Sequence, residues 1–213
     1  MNPMALLLPP VYPITDKRIS GRPTHLAILK ELVRGGATLV QIRDKETEVR
    51  ELLTDLRRCV EFSTKHGVSL LVNDRCDLAL CSGAHGVHLG QDDLPPAAAR
   101  RILSPGSLIG YSTHTLGQAR KSKGLPIDYL AFGPIYTTAT KQDAASVVGL
   151  LKLRKVCAGS SLPVVAIGGI DLNRLREVLD AGARSAAVIS ALMGSRNIAL
   201  RMEEFLRKAM ATR

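Results

Sequence analysis

The residues able to do chemistry in this chain cluster where short apolar runs stop. One run ends in Gln41-Ile42-Arg43-Asp44-Lys45. Side chains alternate along an extended strand, so Gln41, Arg43 and Lys45 share one side and the apolar Ile42 takes the other. An amide and two cations on one side suit an anion attached to a polar ring; a solvated basic strand end would look the same. A second run ends in Asn73-Asp74, and a third is followed by Gly90-Gln91-Asp92-Asp93. Carboxylates from two strands facing cations from another suggest a Mg²⁺–diphosphate site. Mg²⁺ takes one or two carboxylates and completes its octahedron with waters and phosphate oxygens. The competing reading is helix capping, by Asp74 before RCDLAL and Asp92 before PPAAAR.

Four further strand ends carry polar groups. Ser112-Thr113-His114-Thr115 offers hydroxyls for a phosphate or for the cap of the next helix. A loop opened by Gly133-Pro134 runs through Thr137, Thr138, Ala139 and Thr140 to Lys141. It suits a second anionic group or a mobile lid. Gly168-Gly169-Ile170 and Ile189-Ser190-Ala191 follow the last two runs, where backbone N–H groups bind phosphate in (β/α)₈ barrels. Gly169 allows close approach of the backbone to such a group. Other chemistries find less support. Cys59, Cys76, Cys81 and Cys157 form no C-x-x-C pair and read as reduced thiols. His85 and His88 lack the two further ligands a zinc site needs.

The elements that must position these residues alternate regularly. Strands are expected at Val11–Thr15, Thr38–Arg43, Ser69–Asn73, Gly86–Leu89, Ser107–Ser112, Asp128–Phe132, Pro163–Gly168 and Ser185–Ser190. Helical spacing of apolar residues marks Thr24–Val33, Glu48–His66, Thr115–Lys123, Leu172–Ala181 and Asn197–Ala209. Strict β–α alternation predicts a parallel sheet, and eight units in this length predict a (β/α)₈ TIM barrel. An open doubly wound sheet is the alternative, weakened by the lack of G-x-G-x-x-G after the first strand. The 213 residues, 46% of them hydrophobic, read as a single catalytic domain over 1–213 with no linker.

Lysine and arginine number 29 against 19 aspartates and glutamates, which favours anionic partners. The basic residues are dispersed, and aromatics are 3% with no tryptophan, so nucleic acid is not expected. No apolar run approaches the ~18 residues of a membrane span, and no basic leader precedes Met4–Leu8. The expectation is a cytoplasmic enzyme without a membrane partner, with a homo-oligomer left open.

Taken together, YPITD, QIRDK, LLVNDRCDLAL, GVHLGQDD, GYSTHT, DYLAFGPIYTTATKQD, VVAIGGI and AGARSAAVISAL resemble the thiamine-phosphate synthase family, in family order from about Val11 to Leu192. The resemblance implies a transferase of thiamine biosynthesis that uses two phosphorylated small molecules. It joins 4-amino-2-methyl-5-(diphosphooxymethyl)pyrimidine to a thiazole phosphate, or its carboxylated form, and releases diphosphate, with CO₂ too when the carboxylated form is used. It further implies that Gln41, Arg43, Lys45, Asn73, Ser112 and Lys141 hold the pyrimidine diphosphate, with Arg43, Lys45, Lys141 and Ser112 catalytic. Asp74 and Asp93 match Mg²⁺ ligands, Asp93 being preferred over a variable Asp92. Thr138, Ala139, Thr140, Gly169, Ile189 and Ser190 match the thiazole-phosphate site. Departures are Pro13 in the first strand, Tyr111 beside Ser112 and Thr137 where the family has proline. A thiazole tautomerase shares the IGGI and VIS regions but needs neither the carboxylates nor QxRxK; a non-catalytic phosphate sensor is the other rival.

Overall fold

Alternating strands and helices close on themselves in the computed structural model, which describes residues 8–138, 140 and 146–211. The strands are β1 Val11–Pro13, β2 Leu39–Ile42, β3 Ser69–Asn73, β4 Gly86–Leu89, β5 Leu108–Thr113, β6 Tyr129–Phe132, β7 Val164–Ile167 and β8 Ser185–Val188. The helices are α1 Lys17–Ser20, α2 His25–Arg34, α3 Val49–Lys65, α4 Cys76–Ser82, α5 Pro96–Ile102, α6 Leu116–Lys121, α7 Gly149–Gly159, α8 Leu172–Asp180, α9 Ser190–Met193 and α10 Ile198–Met210.

All strand pairs are parallel, in the order β1-β8-β7-β6-β5-β4-β3-β2. The remaining seam, between β1 and β2, is joined by one bridge, Ile14 to Gln41, with Thr15 N donating to Gln41 O at 2.9 Å. The architecture is therefore a nearly closed TIM barrel, as the alternation predicted. Apolar side chains divide by parity. Tyr12, Ile14, Leu39, Leu71, Tyr129, Ala131, Val165 and Ala187 fill the lumen. Val11, Val40, Ile42, Leu70, Val72, Val87 and Leu130 face outward into the layer shared with the helices. Burial on both faces explains why the strands read as continuous apolar runs.

Caps set the helix starts. Thr24, Thr115, Asp171 and Asn197 each accept a backbone N–H three residues on, opening α2, α6, α8 and α10. The observed bounds differ from expectation by one or two residues at most ends. The largest shifts are two residues, at the ends of β1, α6 and β8; β8 stops at Val188 instead of Ser190, where α9 begins. Pro13 is the last residue of β1, where a missing N–H is tolerated. Tyr111 packs in the outer layer and does not line the lumen.

Candidate active site

At the C-terminal mouth of the barrel lies a cavity of about 600 Å³. Its wall includes Gln41, Arg43, Lys45, Asn73, Asp74, Asp93, Ser112, Thr138, Thr140, Gly169, Ile189 and Ser190. Thus twelve of the residues singled out in the sequence surround one space. Ala139 and Lys141 lie outside the described residues.

The basic wall is braced from behind. Arg43 Nη1 lies 3.2 Å from Asp16 Oδ2, and its backbone N–H donates to Thr15 Oγ1. Asp44, the residue between the two cations, points away and forms a staple. It accepts from Lys17, from His25 Nε2 at 2.9 Å and from the N–H groups of Glu46 and Thr47. Burial alone would raise its pKa, but these bonds outweigh it and hold the carboxyl well below the usual range. The turn after β2 is thereby locked, and Lys45 is delivered to the mouth, where it pairs with Asp74.

Asp74 adopts φ 61°, in the left-handed region that few residues other than glycine occupy. Its N–H donates to His88 O at 2.8 Å, fixing it beside β4. Neither carboxylate weighed as a helix cap is one: α4 is preceded by Arg75 and α5 by Pro95, with no side-chain cap bond at either. Asp92 is exposed, whereas Asp93 Oδ2 turns back to accept Gly90 N–H at 2.6 Å. Burial raises the Asp93 pKa, and the hydrogen-bonded Asp74 carboxyl adds to that rise, against Gly90 and Lys45. Two carboxyl groups held together, with oxygen donors only, form the donor set that Mg²⁺ accepts. Among the described residues no three His, Cys, Asp or Glu side chains gather, and Mg²⁺ does not require three.

Opposite lies a backbone-rich wall. Gly168 and Gly169 have φ of 100° and 64°. A Cβ at Gly169 would stand 2.8 Å from Tyr136 Cβ, so only glycine fits this turn. Tyr136 N donates to Gly168 O at 3.0 Å, which ties the loops after β6 and β7 together. Arg174 reaches back to Gly169 O at 2.8 Å and lies over the Tyr136 ring at 4.8 Å.

Beneath both walls is a polar set that sequence reasoning missed. Tyr12, Tyr129 and His88 are buried and hydrogen-bonded to one another and to Gln41 and Ser112. Burial pushes the His88 imidazole down to about 4, against the nearby Asp74, so it is neutral at neutral pH. The signal was available: Tyr12 and Tyr129 stand at lumen parity in YPIT and DYLAF, and His88 follows the same alternation in GVHL. His85, three residues earlier, points to the other face and accepts from Leu70 N. Asp16, Asp44 and Arg174 were missed because bracing from neighbouring turns leaves no spacing pattern.

Comparison with known proteins agrees with this geometry. Residues 11–192 match the family model described as thiamine monophosphate synthase. The thiamine-phosphate synthase of Koribacter versatilis (strain Ellin345) is 46% identical over 192 residues, covering 88% of this chain and 90% of the relative. That of Desulfitobacterium hafniense (strain Y51) is 43% identical over 183 residues, covering 86% and 88%. Among solved structures, thiamine phosphate pyrophosphorylase from Pyrococcus furiosus superposes with a TM-score of 0.85 at 34% identity, covering 94% of this chain and 96% of that one. A match spanning β1 to α9, with such identity over most of the length, means that the chain belongs to the thiamine monophosphate synthase family.

Proposed function

We propose that the chain is a thiamine-phosphate synthase. It joins 4-amino-2-methyl-5-(diphosphooxymethyl)pyrimidine to thiazole phosphate, or its carboxylated form, giving thiamine phosphate and diphosphate, with CO₂ released as well when the carboxylated form is used. The observation that carries this reading is the single cavity lined on one side by Arg43, Lys45, Asp74 and Asp93 and on the other by Thr138, Thr140, Gly169 and Ser190. Two anionic groups can enter one space from opposite walls.

In this reading Gln41, Asn73 and Ser112 orient the pyrimidine, and Arg43, Lys45 and Lys141 hold its diphosphate. Gly169, Ile189 and Ser190, with Thr138, Ala139 and Thr140, receive the thiazole phosphate. Asp74 and Asp93 would hold Mg²⁺. When bound, Mg²⁺ would neutralise charge growing on the departing diphosphate. Arg43 and Lys45 add charge-assisted hydrogen bonds to the same oxygens, and they strengthen as the C–O bond lengthens. The pyrimidine methylene left behind is electron-poor and is stabilised by donation from the ring amino group. The thiazole nitrogen forms the new C–N bond. No side chain needs to act as nucleophile or general base. Holding two substrates in near-attack geometry can lower such a barrier by ~7–11 kcal/mol. The described members of this set line one cavity in one barrel. Among the described residues no helix is long and apolar enough to cross a membrane.

The test is diphosphate release by the purified protein, with each substrate alone and both together, with and without Mg²⁺. Release that needs both substrates and the metal, matched by thiamine phosphate, is expected. Binding of thiazole phosphate without any release would overturn the synthase reading.

A further inference from the structure

Five side chains from five strands form one hydrogen-bonded chain across the lumen. Gln41 Nε2 lies 2.8 Å from Tyr12 Oη. Tyr12 Oη lies 2.9 Å from Tyr129 Oη, and Tyr129 Oη 2.8 Å from His88 Nδ1. His88 Nε2 lies 2.8 Å from Ser112 Oγ. The backbone is built to admit this chain. His88, Gly110 and Tyr129 are neighbours in register across β4, β5 and β6. A Cβ on Gly110 would overlap both the Tyr129 phenol and His88 Nδ1, so the glycine keeps open the gap they bridge.

The direction of each bond follows from counting hydrogens. The Gln41 amide nitrogen can only donate, so Tyr12 Oη accepts from it. Suppose His88 carried hydrogen on Nδ1, alone or with Nε2. Tyr129 would then accept from His88 and give its own hydrogen to Tyr12. Tyr12 would accept twice, and its hydrogen would find no acceptor among its bonded partners, an unfavourable state for a buried phenol. The opposite direction leaves nothing unpaired: Gln41 donates to Tyr12, Tyr12 to Tyr129, Tyr129 to His88 Nδ1, and His88 Nε2–H to Ser112 Oγ. Ser112 then has its hydroxyl hydrogen left for the cavity, and Gln41 has its carbonyl. Both ends line the cavity.

We propose that Tyr12, Tyr129 and His88 are positioning residues that set the hydrogen-bond polarity of the pyrimidine pocket, with Gln41 as acceptor and Ser112 as donor. The inference rests on the reading that Gln41 and Ser112 hold the pyrimidine. An exocyclic amino group matches the acceptor, and a ring nitrogen matches the donor. A 4-oxo pyrimidine would turn an acceptor toward the Gln41 carbonyl and be rejected. The chain can run in the reverse direction only if the Gln41 amide turns over, and the His88 Nδ1–H tautomer marks that state.

Two measurements test this. The first is ¹⁵N NMR of His88 in the wild-type protein, where the neutral Nε2–H tautomer is expected; the Nδ1–H tautomer would overturn the assigned polarity. The second is competition between the 4-amino pyrimidine diphosphate and its 4-oxo analogue. Tyr129→Phe should lower the preference for the amino form about tenfold and raise its KM, as expected for one misdirected hydrogen bond. KM for thiazole phosphate should not move, which separates positioning from general damage. Gln41→Ala and Ser112→Ala distinguish the two levels of failure. If neither changes pyrimidine KM, the pocket assignment falls and this inference with it. If both raise it while Tyr129→Phe keeps the wild-type preference, the relay alone is overturned.

Discussion

Asp74 leaves β3 with a backbone angle of 61° and meets Lys45 on one side and Asp93 on the other. A non-glycine residue in that conformation costs energy, and its placement where two carboxyls converge ties the cost to the site. Asp74→Ala is expected to keep the circular dichroism of the wild type and to lose most Mg²⁺-dependent diphosphate release. Unchanged turnover and Mg²⁺ dependence would remove the metal assignment. Asp44 makes a prediction of a different kind. Its folded pKa lies below the ordinary aspartate value of 3.8, so it stabilises the fold above that pH and loses its contribution as acid protonates it. Asp44→Asn should cost about 2 kcal/mol near pH 7, for loss of charge-assisted hydrogen bonds. The gap between the two proteins should close as pH falls below 3.8. Urea unfolding at neutral and acid pH checks this, and a gap independent of pH would contradict it. The lysines, arginine and carboxylates were readable directly, because charge at a strand end has few structural uses. Asp44 was readable only as part of QIRDK, because nothing in that phrase shows it folding away from the cations beside it.

At the scale of elements, the strands carry out the selection. Register places Gly110 between His88 and Tyr129, and the absence of a side chain there is what lets them meet. Gly110→Ala should destabilise the protein by about 1–3 kcal/mol, the usual cost of overpacking a filled core. It should also raise KM for the pyrimidine substrate; a variant with wild-type stability would show that the lumen has slack. At the opposite wall, Gly169→Ala faces both a φ of 64° and contact with Tyr136. Its expected signature is a raised KM for thiazole phosphate with pyrimidine KM little changed. An equal effect on both substrates would argue against separate walls. Strand positions were legible because β-branched and apolar runs buried on both faces have few alternatives. Helices α1, α7 and α9 were not: α1 and α9 are single turns that show no periodicity, and α7 buries only Leu153 and Val156.

Over the whole molecule, stability and chemistry occupy different regions. The outer layer is apolar and ends with α10, which packs on α2 and α8 and buries Phe205. Phe205→Ala should cost about 3–5 kcal/mol of stability. In buffer where the variant stays folded, kcat should remain near wild type, as read by thermal unfolding alongside turnover; a large fall in kcat would show that the layers are coupled. Removing divalent metal with a chelator should do the reverse. Turnover stops while the unfolding temperature stays nearly constant, because Asp74 and Asp93 sit at a cavity mouth and anchor no core residue. A large fall in unfolding temperature would make the site structural.

The sequence by itself determined the alternation, the barrel and the strand ends that face the mouth. Burial and side-chain period are local consequences of residue type, and a chain of such units closes in few ways. The charged and hydroxyl residues of the mouth were legible for the same reason. Only the tertiary structure decided which side chains meet across the lumen. Tyr12 and Tyr129 are 117 residues apart, and their contact depends on strand register and on Gly110 leaving space. Likewise Asp74 and Asp92 fit helix caps equally well on paper. Both line the cavity and neither caps a helix; Asp74 is held there by its N–H on His88 O of β4, a contact that no local pattern encodes, while Asp92 is exposed.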